Sequence, residues 1–192
     1  MYSLLTQLGL KYKTDKSYPH FFTEFYSKHF ENNRNNIKNI LEIGIDNGRS
    51  LKMWKEYFEN AIIYGIDIHP ACLINEDRIV SKLISQTNFD LFDKEFKSIE
   101  FDIIIDDASH INSHQINGFK NSFKYVKSGG FYVLEDLHTS FMEGHWKDTN
   151  ISTYEFLKNL NYNEYQIQFI EFYNKFDYNA NIDCITSVIK KL

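Results

Sequence analysis

From residue 37 onward, short apolar runs alternate with stretches of helical period, and no other feature constrains the fold as much. IKNILEIGI reads as a buried strand ending in a glycine turn. SLKMWKEYF follows, with Leu51, Trp54, Tyr57 and Phe58 at helical spacing. AIIYGIDI is a second strand and RIVSKLIS a third. NFDLFDKEFKS is helical and FDIIIDDA is a fourth strand. HQINGFKNSFKYVK then puts Ile116, Phe119, Phe123 and Val126 on one helical face. Gly129-Gly130 turns the chain into a fifth strand, FYVLEDL, and STYEFLKNL is another helix. EYQIQFIEFY and IDCITSVIKK close the chain as two strands. Near-continuous apolar strands are buried on both faces, and this alternation implies an α/β fold with a mostly parallel sheet. The last two strands are joined by too little chain for a helix, so they are expected as an antiparallel hairpin at one edge. The Asn-rich ENNRNNIKN reads as a polar loop after an N-terminal segment. One domain over residues 1–192 is expected, in which helical residues 1–36 contribute to the site.

The 192 residues suffice for one sizeable core, and 17% aromatic residues imply thick packing within it. Lys and Arg total 21 against 26 Asp and Glu, and no basic stripe is present, which argues against nucleic acid as a partner. Cys72 and Cys184 are too few and too distant for a disulfide scaffold or zinc cluster, and read as reduced core residues. MYSLLTQLGLKYK lacks the parts of a signal peptide, and no apolar run reaches membrane-spanning length. A cytoplasmic protein without membrane insertion is expected, and aromatic residues near both ends suggest a homodimer.

In a sheet of this kind, ligands bind beyond the carboxyl ends of the strands. Polar chemistry is concentrated there. The first strand ends in Glu42, Gly44, Asp46 and Gly48, and the second in Asp67. Gln86 follows the third. The fourth ends in Asp106 and Asp107 before His110, and the fifth in Glu135 and Asp136 before His138. A glycine turn with an acid about 20 residues on suits a ribose, as in dinucleotides or S-adenosylmethionine. The turn is ExGxDxG, not GxGxxG, and carboxylates beside it disfavour a pyrophosphate but suit a cationic sulfonium. The methyl donor is therefore preferred over NAD. Asp106 is placed with the donor-binding residues. Asp107, Glu135 and Asp136 converge from neighbouring strands, and their mutual repulsion calls for a hard divalent cation such as Mg²⁺. His110 is suited to take a proton from a hydroxyl; His138 is the competitor, and His114 reads as structural.

LEIGIDNGRSLKMWKEYF, YGIDIH, FDIIIDDASHINSHQINGF and GGFYVLEDLHTSF together resemble the metal-dependent sugar O-methyltransferases of the mycinamicin and tetracenomycin type. That group is related to proteins labelled cephalosporin hydroxylase. TDKSYPHFFTEFY resembles its N-terminal DK…H…Y signature, and the likeness runs from about residue 12 to about 160. The resemblance implies a Rossmann-like class I methyltransferase fold of seven strands, the last antiparallel. It implies S-adenosylmethionine as donor, Mg²⁺ on Asp107, Glu135 and Asp136, and His110 as general base. Glu42 and Gly44 would underlie the methionine part, Asp67 the ribose and Gln86 the adenine. Asp15 and Lys16 would help close the donor site. The implied activity is methylation of a sugar or polyol hydroxyl in surface-glycan or natural-product biosynthesis. The chain is shorter than relatives with an extra N-terminal domain, and MEGHWKDTN departs from them where an acceptor is expected. Two other classes stand as alternatives. One is a binding module for S-adenosylmethionine or a nucleotide sugar; the other is a metal-dependent hydrolase or oxygenase, for which His110, His114 and a carboxylate could hold iron.

Overall fold

A computed structural model of the chain describes residues 1–177 and 182–192. Seven strands form one sheet: β1 Asn39–Ile43, β2 Ile62–Asp67, β3 Ile79–Leu83, β4 Phe101–Asp106, β5 Val126–Leu134, β6 Ile167–Asp177 and β7 Ile182–Lys191. Their spatial order is β3-β2-β1-β4-β5-β7-β6. Strands β1 to β5 pair in parallel, whereas β7 runs antiparallel to both β5 and β6. The expected edge hairpin is present, with its second strand inside the sheet and its first at the edge.

Among the described residues, seven α-helices accompany the sheet: α1 Leu4–Tyr12, α2 Phe22–Phe30, α3 Arg49–Tyr57, α4 Phe89–Phe96, α5 Asn112–Ser122, α6 Thr153–Lys158 and α7 Tyr162–Tyr165. Asn88 caps α4, its side chain accepting from Leu91 N at 3.1 Å. Ser152 and Glu155 close a capping box on α6, which sets its start. The helices divide between two cores. Leu5, Phe25, Tyr26 and Trp54 from α1, α2 and α3 pack on one face of the sheet. Phe92, Phe96, Phe119 and Leu157 from α4, α5 and α6 pack on the other.

The alternation of a strand decides which core each residue joins. In β4, Ile103 and Ile105 face the α1–α3 side and Ile104 faces the other. In β5, Val133 takes the first side, and Tyr132 and Leu134 the second. Extending that period past the strand ends sends Asp107 and Glu135 toward α1–α3 and Asp106 toward α5. The strands are in step there, because Ile43 pairs with Asp106 and Asp106 with Leu134.

Three expectations are corrected. Residues Glu31–Asn36 of the Asn-rich stretch are a 3-10 helix that continues from α2, with Arg34 and Glu31 paired at 3.3 Å. Gly129-Gly130 lies within β5, where the register against β4 shifts, and is part of a bulge and not of a preceding turn. A Cβ on Gly130 would stand 2.8 Å from the Asp102 carbonyl oxygen, so the bulge needs glycine to approach β4. Cys72 is half-buried on the wall of a cleft, while Cys184 is in the core as expected.

Candidate active site

A cleft of about 600 Å³ opens at the carboxyl ends of β1 to β4. Its floor is the β1–α3 turn. Gly44 has φ +95°, and a Cβ there would lie 2.2 Å from the Asp107 carbonyl oxygen. Glycine is thus required both by the left-handed backbone and by the end of β4 pressing against it. Gly48 has φ +72° and starts α3 with Ile74 packed over it.

Asp67, at the end of β2, lines this cleft. Its Oδ2 accepts from Ile45 N at 2.9 Å and Asp46 N at 3.3 Å, and its Oδ1 from His69 N at 2.8 Å. Burial pushes the carboxyl up, but these backbone donors outweigh it and hold Asp67 below the usual carboxylate range. Oδ2 is filled by its two amides, whereas Oδ1 keeps acceptor capacity for a ligand hydroxyl. Gln86 lines the same cleft beyond β3. Its Nε2 donates to both oxygens of Asp106, at 2.6 and 2.8 Å, and its Oε1 accepts from Ser109 Oγ at 3.0 Å. Ser109 Oγ also meets His114 Nδ1 at 2.8 Å. Asp106 itself is fully buried, does not line the cleft, and acts on it by orienting Gln86. Burial pushes its carboxyl up to about 7.

Glu42 is also fully buried, beneath the cleft and not on its wall. Ser50 Oγ donates to its Oε2 at 2.8 Å, and Lys16 Nζ lies 3.2 Å from its Oε1. Burial pushes Glu42 up to about 7 despite the nearby ammonium. Asp15, one residue from Lys16, lines the cleft with Lys13, Thr14 and Tyr18. Burial raises Asp15, and the charges of Lys16 and His20 more than offset it.

Beside the cleft, past β4 and β5, lies an acidic corner. Asp107, His110 and Asp136 bring ligand atoms within 4.8 Å of one another. His110 Nε2 is 3.3 Å from Asp136 Oδ2 and 4.0 Å from Asp107 Oδ1. His110 and Asp136 both have left-handed backbone, at φ 55° and 54°, which turns the chain sharply after each strand. Thr139 ties the two turns together, its Oγ1 lying 2.9 Å from the His110 carbonyl oxygen and 3.0 Å from that of Asp136. His20 Nδ1 and His138 Nδ1 approach Asp136 Oδ1 at 3.8 and 3.7 Å. Glu135 stands apart from the three-residue group, with Lys16 Nζ 3.0 Å from its Oε2. Lys16 also pairs with Asp107. Burial, then repulsion from Asp107, holds Glu135 well above the usual carboxylate range.

The corner suits a divalent cation. Glu135 Oε1 and Asp136 Oδ1 are buried acceptors without a hydrogen bond, and His110 Nδ1 is a buried ring nitrogen without one. Buried acceptors in that condition cost free energy unless a cation or donor reaches them. Oxygen-rich, with carboxylates on two adjacent strand ends, the donor set fits Mg²⁺.

The structure therefore brings Asp15, Gly44, Asp67 and Gln86 to the cleft and Asp107, Asp136 and His110 to the corner. Asp107 belongs to both. Ser109 and His20 join the site without a role expected for either, although both lie inside the DDASHINSH and DKSYPH stretches. His114, expected to be structural, is held by Ser109 Oγ and also lines the cleft.

This architecture, with a ligand cleft over a mostly parallel seven-stranded sheet and an antiparallel β7, is the class I methyltransferase fold. The solved MycE methyltransferase from the mycinamycin biosynthetic pathway, in complex with Mg and S-adenosylhomocysteine (SAH), superposes with a TM-score of 0.83 at 30% identity. The superposition covers 100% of this chain and 55% of that one. An O-methyltransferase from Bacillus cereus in complex with SAH shares the fold at 13% identity and a TM-score of 0.63. In sequence, the chain is 38% identical over 149 residues to mycinamicin VI 2''-O-methyltransferase of Micromonospora griseorubida. It is 34% identical over 167 residues to 8-demethyl-8-alpha-L-rhamnosyl tetracenomycin-C 2'-O-methyltransferase of Streptomyces olivaceus. These matches cover 73% and 81% of this chain, but 37% and 44% of the relatives. No family model matches the chain. Over the matched residues the chain is similar to these O-methyltransferases. It spans about two fifths of the length of the curated relatives it matches.

Proposed function

We propose that the chain is an S-adenosylmethionine- and Mg²⁺-dependent O-methyltransferase acting on a sugar or other polyol hydroxyl. The observation that carries this reading is the junction of cleft and corner at Asp107. One residue lines the donor-sized cleft and also belongs to the group that can share an ion. The MycE methyltransferase solved with Mg, SAH and mycinamycin VI supports it.

Asp67 would take the ribose, Gln86 would meet the adenine, and Asp15 and Lys16 would cover the donor from the N-terminal segment. Glu42 and Gly44 would support its methionine part, with Asp106 setting Gln86. Asp107, Asp136 and Glu135 would hold the ion, Glu135 through Oε1, the oxygen that Lys16 does not engage. When bound, the donor supplies an activated methyl group and the ion lowers the pKa of the acceptor hydroxyl. His110 would accept the hydroxyl proton. Its new positive charge would arise 3.3 Å from Asp136 and 4.0 Å from Asp107. The fixed turns at His110 and Asp136 supply the positioning on which such a transfer depends.

The oxygenase alternative loses ground on one observation. Among the described residues, the group able to share one ion has a single histidine and two carboxylates, and His114 is engaged with Ser109 outside it. No helix among the described residues is long and apolar enough to cross a membrane. A cytoplasmic enzyme that works as one domain, pairs as a homodimer and binds no nucleic acid completes the proposal.

Calorimetry on metal-stripped protein tests the reading. SAH should bind at micromolar concentration, and NAD should not bind. Absence of SAH binding with and without Mg²⁺ would sink it.

A further inference from the structure

Lys16 is the most buried cation in the described chain, 1% exposed, and it sits at the seam between the two halves of the site. Its ammonium faces Glu42 at 3.2 Å and Glu135 at 3.0 Å, and pairs with Asp107. Burial alone would lower its pKa, but these acids outweigh burial and hold it well above the ordinary lysine range. Its backbone is fixed too. Thr23 N donates to the Lys16 carbonyl at 3.1 Å, and Ser17 packs so closely on Gly9 that a Cβ on Gly9 would lie 2.6 Å from it.

Two cations cannot both hold Asp107 at short range without repelling each other. The buried Oε1 of Glu135 has no hydrogen bond, so one ammonium leaves this corner under-compensated. The residues flanking Lys16, namely Lys13, Thr14, Asp15 and Tyr18, line the donor cleft. The ammonium is thus also the pin that fastens this covering segment to β1, β4 and β5.

We infer that Lys16 is a resident counter-cation that competes with the divalent ion for Asp107, while its hold on Glu42 and Glu135 keeps the N-terminal segment over the donor cleft. This rests on the metal-dependent reading above. Lys16 is a positioning residue in this account. It neutralises the corner before the ion arrives and yields one carboxylate when it does.

The test is Lys16→Met, which keeps the stem and removes the charge. Mg²⁺ and SAH are titrated separately into metal-stripped wild type and variant by calorimetry. Removing a unit charge at this range should tighten Mg²⁺ by at least about tenfold, even after strong screening. SAH should bind the variant more weakly, since the covering segment loses its pin. A merely structural defect would weaken both, so unchanged or weaker Mg²⁺ binding overturns the proposal. Unchanged SAH affinity overturns the pinning role.

A second measurement needs no variant. In wild-type protein carrying ¹⁵N at lysine Nζ, the buried Lys16 ammonium should give a slowly exchanging NMR signal. Mg²⁺ should move that signal with the same midpoint as the calorimetric titration. A Lys16 signal unmoved through ion saturation overturns the competition. If wild type binds SAH but no ion, the metal-dependent reading and this inference fall together. If it binds both and Lys16 responds to neither test, only this inference falls.

Discussion

The donor cleft and the acidic corner share Asp107 but are held in opposite ways. In the cleft, Asp67 is fixed by amides from its own turn and from the β1–α3 turn, and Gln86 by Asp106 across the strand ends. These are short, satisfied contacts between neighbouring elements. In the corner, Asp107 and Glu135 lean on an ammonium delivered from the N-terminal segment, and several buried acceptors there lack a hydrogen bond. The cleft is preorganised by hydrogen bonds. The corner is held by charge, and only partly. Such a difference is expected where one ligand is recognised by shape and the other by valence.

His110→Ala should separate the two regions most sharply. Turnover on any acceptor found by screening should fall about 10²- to 10⁴-fold, the range for losing a positioned base. SAH affinity should stay at the wild-type value, because His110 does not line the cleft. Retained turnover would assign the base elsewhere, with His138 next in line.

Gly44→Ala should damage both regions at once. The added Cβ would meet the Asp107 carbonyl at 2.2 Å with φ at +95°. A stability loss of about 1–3 kcal/mol is expected from the backbone conformation alone. Chemical denaturation should show it, and both SAH and Mg²⁺ should bind more weakly. A variant that loses only one of the two affinities would show that the regions are less joined than Asp107 suggests.

Asp67→Asn should confine its effect to the cleft. SAH should weaken by roughly tenfold, about 1.4 kcal/mol, with Mg²⁺ binding untouched. A smaller effect of the same change concerns acid. Because folding lowers the Asp67 pKa, the stability it adds is fully present above its unfolded value near 4. That contribution is lost as pH falls through the folded value. The stability gap between wild type and variant should therefore be constant from about pH 5 upward and narrow below about pH 4. A gap that does not narrow would detach Asp67 from its amides.

Much of the fold was legible because parallel strands must be apolar on both faces, so IKNILEIGI and FDIIIDDA announce themselves. Gly129-Gly130 misled because glycine marks a bulge and a turn alike. The placing of β7 between β5 and β6 leaves no trace in periodicity, since either order of a hairpin buries the same alternating residues. In the site, the acids at strand ends were legible from topology. The depth of Lys16 was not, since its partners Asp107 and Glu135 lie 91 and 119 positions away. Only packing brings them to it. Asp106 shows the finer limit. It stands with the donor-binding acids in the sequence, yet works through Gln86 from below the cleft.

Asp106 and Asp107 are chain neighbours that serve different ends of the site. One anchors Gln86 toward the α5 side, and the other faces Lys16 and His110. They share a single peptide plane, which is stiff. That plane is pinned on both sides, Asp107 N donating to the Ile43 carbonyl at 2.9 Å and Glu135 N to the Asp106 carbonyl at 3.0 Å. The end of β4 is thus a fixed post between the two regions, with Gly44 pressed against it. The acidic corner and the far wall of the cleft are therefore set out from one rigid peptide, at a spacing that neither ligand has to create.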